Sequence, residues 1–277
     1  SIPGCIIKSS DGELHFTLAL DRIQSLDEIP SPYLTGMLDE CFDERLVPMI
    51  QTNRGCPFSC TFCVDGSDSV RMINEFSVQR VDDELNYIAK HVPKNQHNLH
   101  ISDLNFGMYT RDIEVCDSIN GIQKKYGYPH VLSVQNTKNA RERAYKVQKA
   151  LYDSGLTKSI NIAMQATDPH TLEQIKRDNI SIEDYKELQK RFTEDGITTY
   201  TEFILGLPGD TYESFATGVS DVISSGQHNR IQYNKILYFL RVEDFLITLF
   251  GENLGIDIGR SSFRAVSYTH LSANETR

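Results

Sequence analysis

From residue 47 onward the apolar positions switch repeatedly between two periods. Val47-Pro48-Met49-Ile50-Gln51-Thr52 is a short run of strand type, and Val78, Val81, Leu85, Ile88 and Val92 then recur at helical spacing behind Ser77, a predicted N-cap. The switch returns with a strand over 99–104 and a helix over 110–126, then a strand over 131–134 and a helix over 140–153 that stops at Gly155. Residues 160–164 predict a fourth strand, followed by two helical stretches, the second opening Ser181-Ile182-Glu183-Asp184, close to a capping box. Residues 198–205 predict a fifth strand, a helix runs from about Thr211 to near Gly226, and residues 231–240 predict a sixth strand. Such an alternation predicts an α/β fold with a parallel sheet and right-handed crossovers. A partial (β/α)6 barrel of TIM type fits it, with a doubly wound sheet as the structural alternative.

Ahead of this core the pattern differs. Residues 4–18 predict a hairpin that turns at Ser9-Ser10-Asp11-Gly12, where Asp-Gly supplies the positive φ of a tight turn. An acidic connector over 19–46 is interrupted by Ile29-Pro30-Ser31-Pro32. The expected organisation is therefore a hairpin and linker over 1–46, a core barrel over 47–240 and a tail over 241–277. Residues 241–264 alternate poorly, and 265–277 resemble a translated sequencing adapter, so the tail is set aside from the fold and the chain is expected to be a fragment of a longer protein.

Composition narrows the class. Hydrophobic residues make up 39% and charged residues 24%, ordinary usage for a globular protein. No apolar run is long enough to span a bilayer and no signal sequence is visible, which makes a cytoplasmic location the default. The formal net charge of −10, with no Lys/Arg block, disfavours nucleic acid as a partner. Of the 6 cysteines, Cys5, Cys41 and Cys116 stand apart, while Cys56, Cys60 and Cys63 fall together. That distribution points to reduced thiols and metal binding rather than a disulfide framework.

The segment Arg54-Gly55-Cys56-Pro57-Phe58-Ser59-Cys60-Thr61-Phe62-Cys63 is C-x3-C-x2-C directly after the first predicted strand. A cubane iron–sulfur cluster takes a full set of four thiolates. Three leave one iron open, and an open coordination position is where a cofactor or substrate can bind, as on a catalytic zinc. The spacing is neither the ferredoxin run nor a paired zinc motif. A zinc knuckle or a group of buried thiols is the bland alternative. Polar residues recur at the predicted strand ends: Ser102-Asp103-Leu104-Asn105, Gln135-Asn136, Gln165 and Gly206-Leu207-Pro208-Gly209-Asp210. Barrel enzymes build their sites at those ends.

The cysteine motif resembles the signature of the radical S-adenosylmethionine (SAM) superfamily. The resemblance implies a [4Fe–4S] cluster on Cys56, Cys60 and Cys63, with SAM on the open iron through its amine and carboxylate. It further implies reductive cleavage of SAM to a 5′-deoxyadenosyl radical that abstracts hydrogen from a small-molecule substrate. By the same resemblance Phe62 lies near the adenine, and Glu202, Ile204, Gly206 and Gly209 belong to the fifth-strand segment that lines it. Gln165 matches the fourth-strand position that meets SAM's polar groups. Asp103 and Asn105 stand where many members bind the SAM amino group, although the local sequence departs from that motif. No residue is singled out for catalysis. Lys138, Asn139 and Arg141 read as a solvated helix start, and Cys116, Tyr233, Tyr238 and Phe239 as core.

The hairpin, the Leu26-Asp27-Glu28-Ile29-Pro30-Ser31-Pro32-Tyr33-Leu34 connector and the Arg-Gly-Cys-Pro-Phe-Ser-Cys that follows are similar to cobalamin-linked radical SAM proteins. That resemblance implies a cobalamin domain ahead of residue 1, cobalamin use only in the full-length protein, and methyl transfer as one outcome. The implied partners are a small-molecule substrate and a flavodoxin- or ferredoxin-type electron donor; no membrane is expected, and the charge disfavours nucleic acid. The second function class is a non-catalytic iron–sulfur or zinc protein for electron transfer or sensing, its site closed by a fourth ligand such as Asp65 or Cys41. An RNA methylthiotransferase ranks below both.

Overall fold

A computed structural model describes residues 5–17, 23–67, 70–137 and 141–235. Lys138, Asn139, the Arg141 side chain, Tyr238, Phe239, the far end of the sixth predicted strand and the tail lie outside them.

The hairpin forms as expected, β1 (Ile6–Lys8) pairing antiparallel with β2 (Leu14–Phe16) so that Ile6 faces Phe16. The connector carries 3-10 turns at Leu26–Glu28 and Asp39–Cys41 and buries Leu26 and Tyr33 in the main core. Tyr33 Oη donates to Met49 O at 2.8 Å and accepts from Met49 N at 3.0 Å. This one hydroxyl satisfies both backbone groups of Met49 on an edge strand.

The first predicted strand divides in two. Its ladder is only β3 (Met49–Ile50); the chain then bends into β4 (Asn53–Arg54), which pairs antiparallel with β5 (Asn74–Glu75). The bend arises because Thr52 N and Asn53 N donate to the Asp103 carboxylate instead of continuing the ladder. The remaining elements are α1 (Val78–His91), β6 (Asn98–Phe106), α2 (Arg111–Tyr126), β7 (Val131–Asn136), α3 (Arg141–Asp153), β8 (Ile160–Asn161), α4 (Pro169–Gln174), α5 (Ile182–Glu194), β9 (Thr199–Leu205), α6 (Tyr212–Ser224) and β10 (Arg230–Lys235). Ser77 caps α1, accepting from Arg80 N at 3.1 Å, and Ser181 caps α5. The reciprocal capping box forms at Thr211 and Ser214 of α6, one helix later than the sequence suggests.

Apart from the β4-β5 ribbon, the strands of the core pair parallel and lie in chain order, β3-β6-β7 and β8-β9-β10. A doubly wound sheet would reverse that order at a switch point, so the arrangement is that of a partial TIM-type barrel. No ladder joins β7 to β8 among the described residues; Asn136 Nδ2 reaches Asn161 O across the gap at 3.4 Å. The fourth predicted strand shortens accordingly. Its ladder ends at Asn161; beyond it Ile162 N still donates to Tyr200 O, Ile162 O accepts from the Thr201 hydroxyl, and a single bridge joins Gln165 to Phe203.

The core sits between β6 and helices α1 and α2. Leu85, Ile88, Leu99, Ile101, Phe106, Val115 and Ile119 are fully buried there, and Cys116 joins them as the sequence suggests. Each such side chain contributes roughly 1.5–3 kcal/mol of burial. The α1 residues Val81, Leu85 and Ile88 share one face, as the spacing requires. The second half is built on smaller clusters, Ile160 with Phe192 and Met164 with Tyr185 and Phe203. Together these cores aim the C-terminal strand ends at one mouth.

Candidate active site

The cysteine loop leaves β4, beside the first parallel sheet, and crosses to the second. Gly55 starts it at φ +114, where a Cβ would stand 2.5 Å from Met72 O; Gly66 ends it, where a Cβ would meet Cys60 O at 2.3 Å. Only glycine permits both approaches. The loop lands through Thr61 N, which donates to Ile175 O at 3.0 Å, and through Phe62, which packs on Ala166, Ile175, Ile204 and Leu207. Cys56 and Cys60 are buried and Cys63 is half-buried.

The three thiols share a neighbour that the sequence reading missed. Arg177, 5% exposed, lies within electrostatic reach of Cys60, Cys63 and Cys56. Burial pulls its pKa below the ordinary arginine value, and the three sulfurs pull it back up. Its Nε donates to Asn179 Oδ1 at 2.6 Å and Nη2 to Ala163 O at 2.9 Å, while Nη1 has no hydrogen-bond partner. Among the described residues it forms no ion pair with a carboxylate. A buried guanidinium needs anions beside it, and ionised thiols would supply them. No three His, Cys, Asp or Glu side chains among the described residues already stand in a metal-ligating array. The three sulfurs thus share Arg177 as a neighbour but do not stand as a ligating group.

The first sheet pins the loop's take-off. Asp103 Oδ1 accepts from Thr52 N at 2.7 Å and Asn53 N at 3.3 Å; Oδ2 accepts from the Thr52 hydroxyl and from Asn53 Nδ2 at 2.9 Å. Burial raises its pKa, and these donors together with Arg111 lower it. Arg111 itself donates to Thr52 O at 3.1 Å and to Phe76 O. Both Asp103 oxygens are thus occupied within the fold. Two residues on, Asn105 donates from Nδ2 to Cys56 Sγ at 3.3 Å.

Unpartnered buried polar atoms gather around this mouth. Apart from Asn120 Oδ1, which lies midway along α2, they include Asn105 Oδ1 on β6, Asp112 Oδ1 in the first turn of α2, Thr137 Oγ1 just past β7, Gln165 Oε1 past β8, and Arg177 Nη1. Asn161 Oδ1 is another, and with Asn136 and Thr137 it lines a cavity of about 30 Å³ between the two sheets, room for a water or two. Asp112 Oδ2 accepts from Gly107 N at 2.8 Å and Tyr109 N at 3.0 Å, and burial pushes its pKa up to about 6. Burial and nearby Asp112 push Tyr109 up to about 12.

Gln165 carries a second mark. Its backbone is left-handed, φ +64, which a non-glycine residue holds only when its surroundings compel it. Gln165 N donates to Glu202 O at 2.7 Å and Ile204 N donates back to Gln165 O at 2.9 Å. Ile204 is buried beside Ala166 and Leu207, and the chain leaves β9 through Gly206 and Gly209 at positive φ, Gly209 against the His170 ring. Phe62, Gln165, Ile204 and the glycine turn are therefore brought together. Of the two proposed fourth ligands, Asp65 Oδ2 lies 3.8 Å from Cys63 Sγ, whereas Cys41 is exposed in the connector.

The family model of the radical SAM superfamily matches residues 50–221. The chain belongs to that superfamily. Its cofactors are those of the family, a [4Fe–4S] cluster and SAM. This radical SAM chain is 36% identical over 217 residues to the cobalamin-dependent radical SAM methyltransferase TokK of Streptomyces tokunonensis, an alignment that covers 76% of it and 31% of TokK. It is 35% identical over 218 residues to 2-(S-pantetheinyl)-carbapenam-3-carboxylate methyltransferase of Streptantibioticus cattleyicolor, covering 76% of the chain and 32% of that protein. It thus spans about a third of the length of these curated relatives. Among solved structures, the radical SAM methyltransferase TsrM of Kitasatospora setae, with tryptophan and a SAM analogue bound, superposes at TM-score 0.59. That match has 17% identity and covers 84% of this chain and 46% of TsrM. No helix among the described residues is long and apolar enough to cross a membrane.

The residues present fit the family's cofactors. Three thiols beside an unpaired buried guanidinium suit an anionic cluster, and the orphaned amide oxygens of Asn105 and Gln165 suit a ligand bearing N–H or O–H donors. Nothing in the sequence singles out Arg177, which lies just past α4 and shares no helical face with Leu172 and Ile175.

Proposed function

We propose that Cys56, Cys60 and Cys63 ligate the [4Fe–4S] cluster and leave one iron for SAM, and that the full-length protein transfers a methyl group to a small molecule. What supports the reading is the concentration of unsatisfied buried polar atoms around the cysteine loop, since native folds rarely leave such atoms without a ligand to meet them. Arg177 balances the charge of the thiolates. Asn105 Oδ1 and Gln165 Oε1 accept from SAM's polar groups, while Phe62, Ile204, Gly206 and Gly209 form the apolar and backbone wall for its adenine, with Glu202 O holding Gln165 in place. Asp103 acts through the loop rather than on SAM, because its oxygens are occupied by Thr52 and Asn53.

When bound, the cluster and SAM supply a 5′-deoxyadenosyl radical able to remove hydrogen from an unactivated C–H bond. The chain's own contribution is to hold the cofactors in register and to keep water from the mouth. Methyl transfer follows the two curated relatives, and cobalamin would enter with parts of the protein beyond this chain. A flavodoxin- or ferredoxin-type protein would deliver the electron.

Anaerobic reconstitution tests the assignment. Cys60→Ala should lose the iron–sulfur absorbance and 5′-deoxyadenosine formation together, with the fold retained by circular dichroism. A variant that keeps both would reject it.

A further inference from the structure

Beyond the Arg177 they share, the sulfurs differ in their surroundings. Cys60 stands nearest Arg177, Cys63 has the Asp65 carboxylate 3.8 Å away, and Cys56 receives the Asn105 amide at 3.3 Å. Of these neighbours Asn105 alone is a neutral N–H donor, and it is 3% exposed, so water does not compete for its bond. It is also well fixed. Asn105 sits near the end of β6 beside fully buried Phe106, and Thr137 N donates to Phe106 O at 2.9 Å.

An N–H directed at a cysteine sulfur withdraws electron density from it. On a cluster ligand such a bond stabilises the more negative, reduced form over the oxidised one. We propose that Asn105, by donating to Cys56, raises the reduction potential of the cluster and so eases its one-electron reduction by the external donor, the step that precedes SAM cleavage. The proposal rests on Cys56 being a cluster ligand. It makes Asn105 a positioning residue with two arms, Nδ2 fixed on sulfur and Oδ1 left for SAM. An amide does not titrate, so the effect should be the same across pH.

The experiment is an EPR-monitored redox titration of the full chain, anaerobically reconstituted, as wild type and as Asn105→Leu, at two pH values. Loss of one charge-assisted hydrogen bond should make reduction about tenfold less favourable, a potential about 59 mV more negative for a one-electron couple, equally at both pH values. An unchanged potential in a fully loaded Asn105→Leu protein overturns the proposal. If that variant loads too little cluster, resonance Raman of the wild type decides. Its Fe–S(Cys) stretches should shift in D2O where an exchangeable N–H meets sulfur, and no shift overturns the idea. Cys60→Ala retaining its cluster would sink the ligand assignment instead, whatever Asn105 does.

Discussion

The base and the mouth of this barrel treat buried polar groups in opposite ways. At the base, Gln227 Nε2 donates to Thr199 O and Arg230 O, both at 3.1 Å, and its Oε1 accepts from Tyr185 Oη at 3.2 Å and from Gln189. Thr199 Oγ1 donates to Gln189 Oε1 at 2.6 Å, which completes the ring. At the mouth, Asn105, Thr137, Gln165 and Arg177 each keep a buried atom unpartnered. A closed network holds strands together, and such networks at the base of a barrel serve stability. An open set has desolvated its groups without satisfying them, which is a cost that a bound ligand removes. Asp103 shows that the mouth can also close a network, and there it fixes the loop.

The largest effect should come from breaking the closed ring. Gln227→Leu leaves several donors and acceptors buried and is expected to cost about 3 kcal/mol in urea unfolding, while cluster loading stays at wild-type level. A loss below about 1 kcal/mol would erase the contrast between the two ends.

A smaller effect separates the ends by pH. The folded-state pKa of Asp112 is raised to about 6 by burial, so the folded protein holds a proton that the unfolded chain releases. Its stabilising contribution is present in full below the ordinary carboxylate range, near pH 4, and is lost as pH rises through about 6, at most about 3 kcal/mol. Asp112→Asn should flatten stability against pH between 4 and 6.5, because an amide does not titrate, while its side-chain oxygen can still accept from Gly107 N and Tyr109 N. Gln227→Leu should leave that slope intact.

Gln165→Gly should have the smallest effect on stability. Removing a left-handed non-glycine residue offsets the added freedom of the unfolded chain, for a net change between zero and a gain of about 1 kcal/mol. Calorimetry on the reconstituted protein should nevertheless show SAM binding at least tenfold weaker. Unaltered affinity would mean that its orphaned oxygen belongs to the fold and not to a ligand.

Much of this could be read along the chain because it is local. The helical spacing and Ser77 announce α1, Gly155 follows α3, and the C-x3-C-x2-C run marks the cysteine loop within ten residues. Phe62 and Gln165 were singled out because a family motif carries them. The bend after Ile50, the gap between β7 and β8, and Arg177 were not. Thr52 meets Asp103 across 51 residues of sequence, and Asn105 meets Cys56 across 49. No period or spacing encodes such pairs.

The sequence by itself determined the order of elements and the chemistry of the loop, because side-chain periodicity and thiol spacing act between near neighbours. Tertiary structure decided which polar groups are satisfied and which are left open. That division depends on burial, and burial exists only once distant strands have closed over the same space.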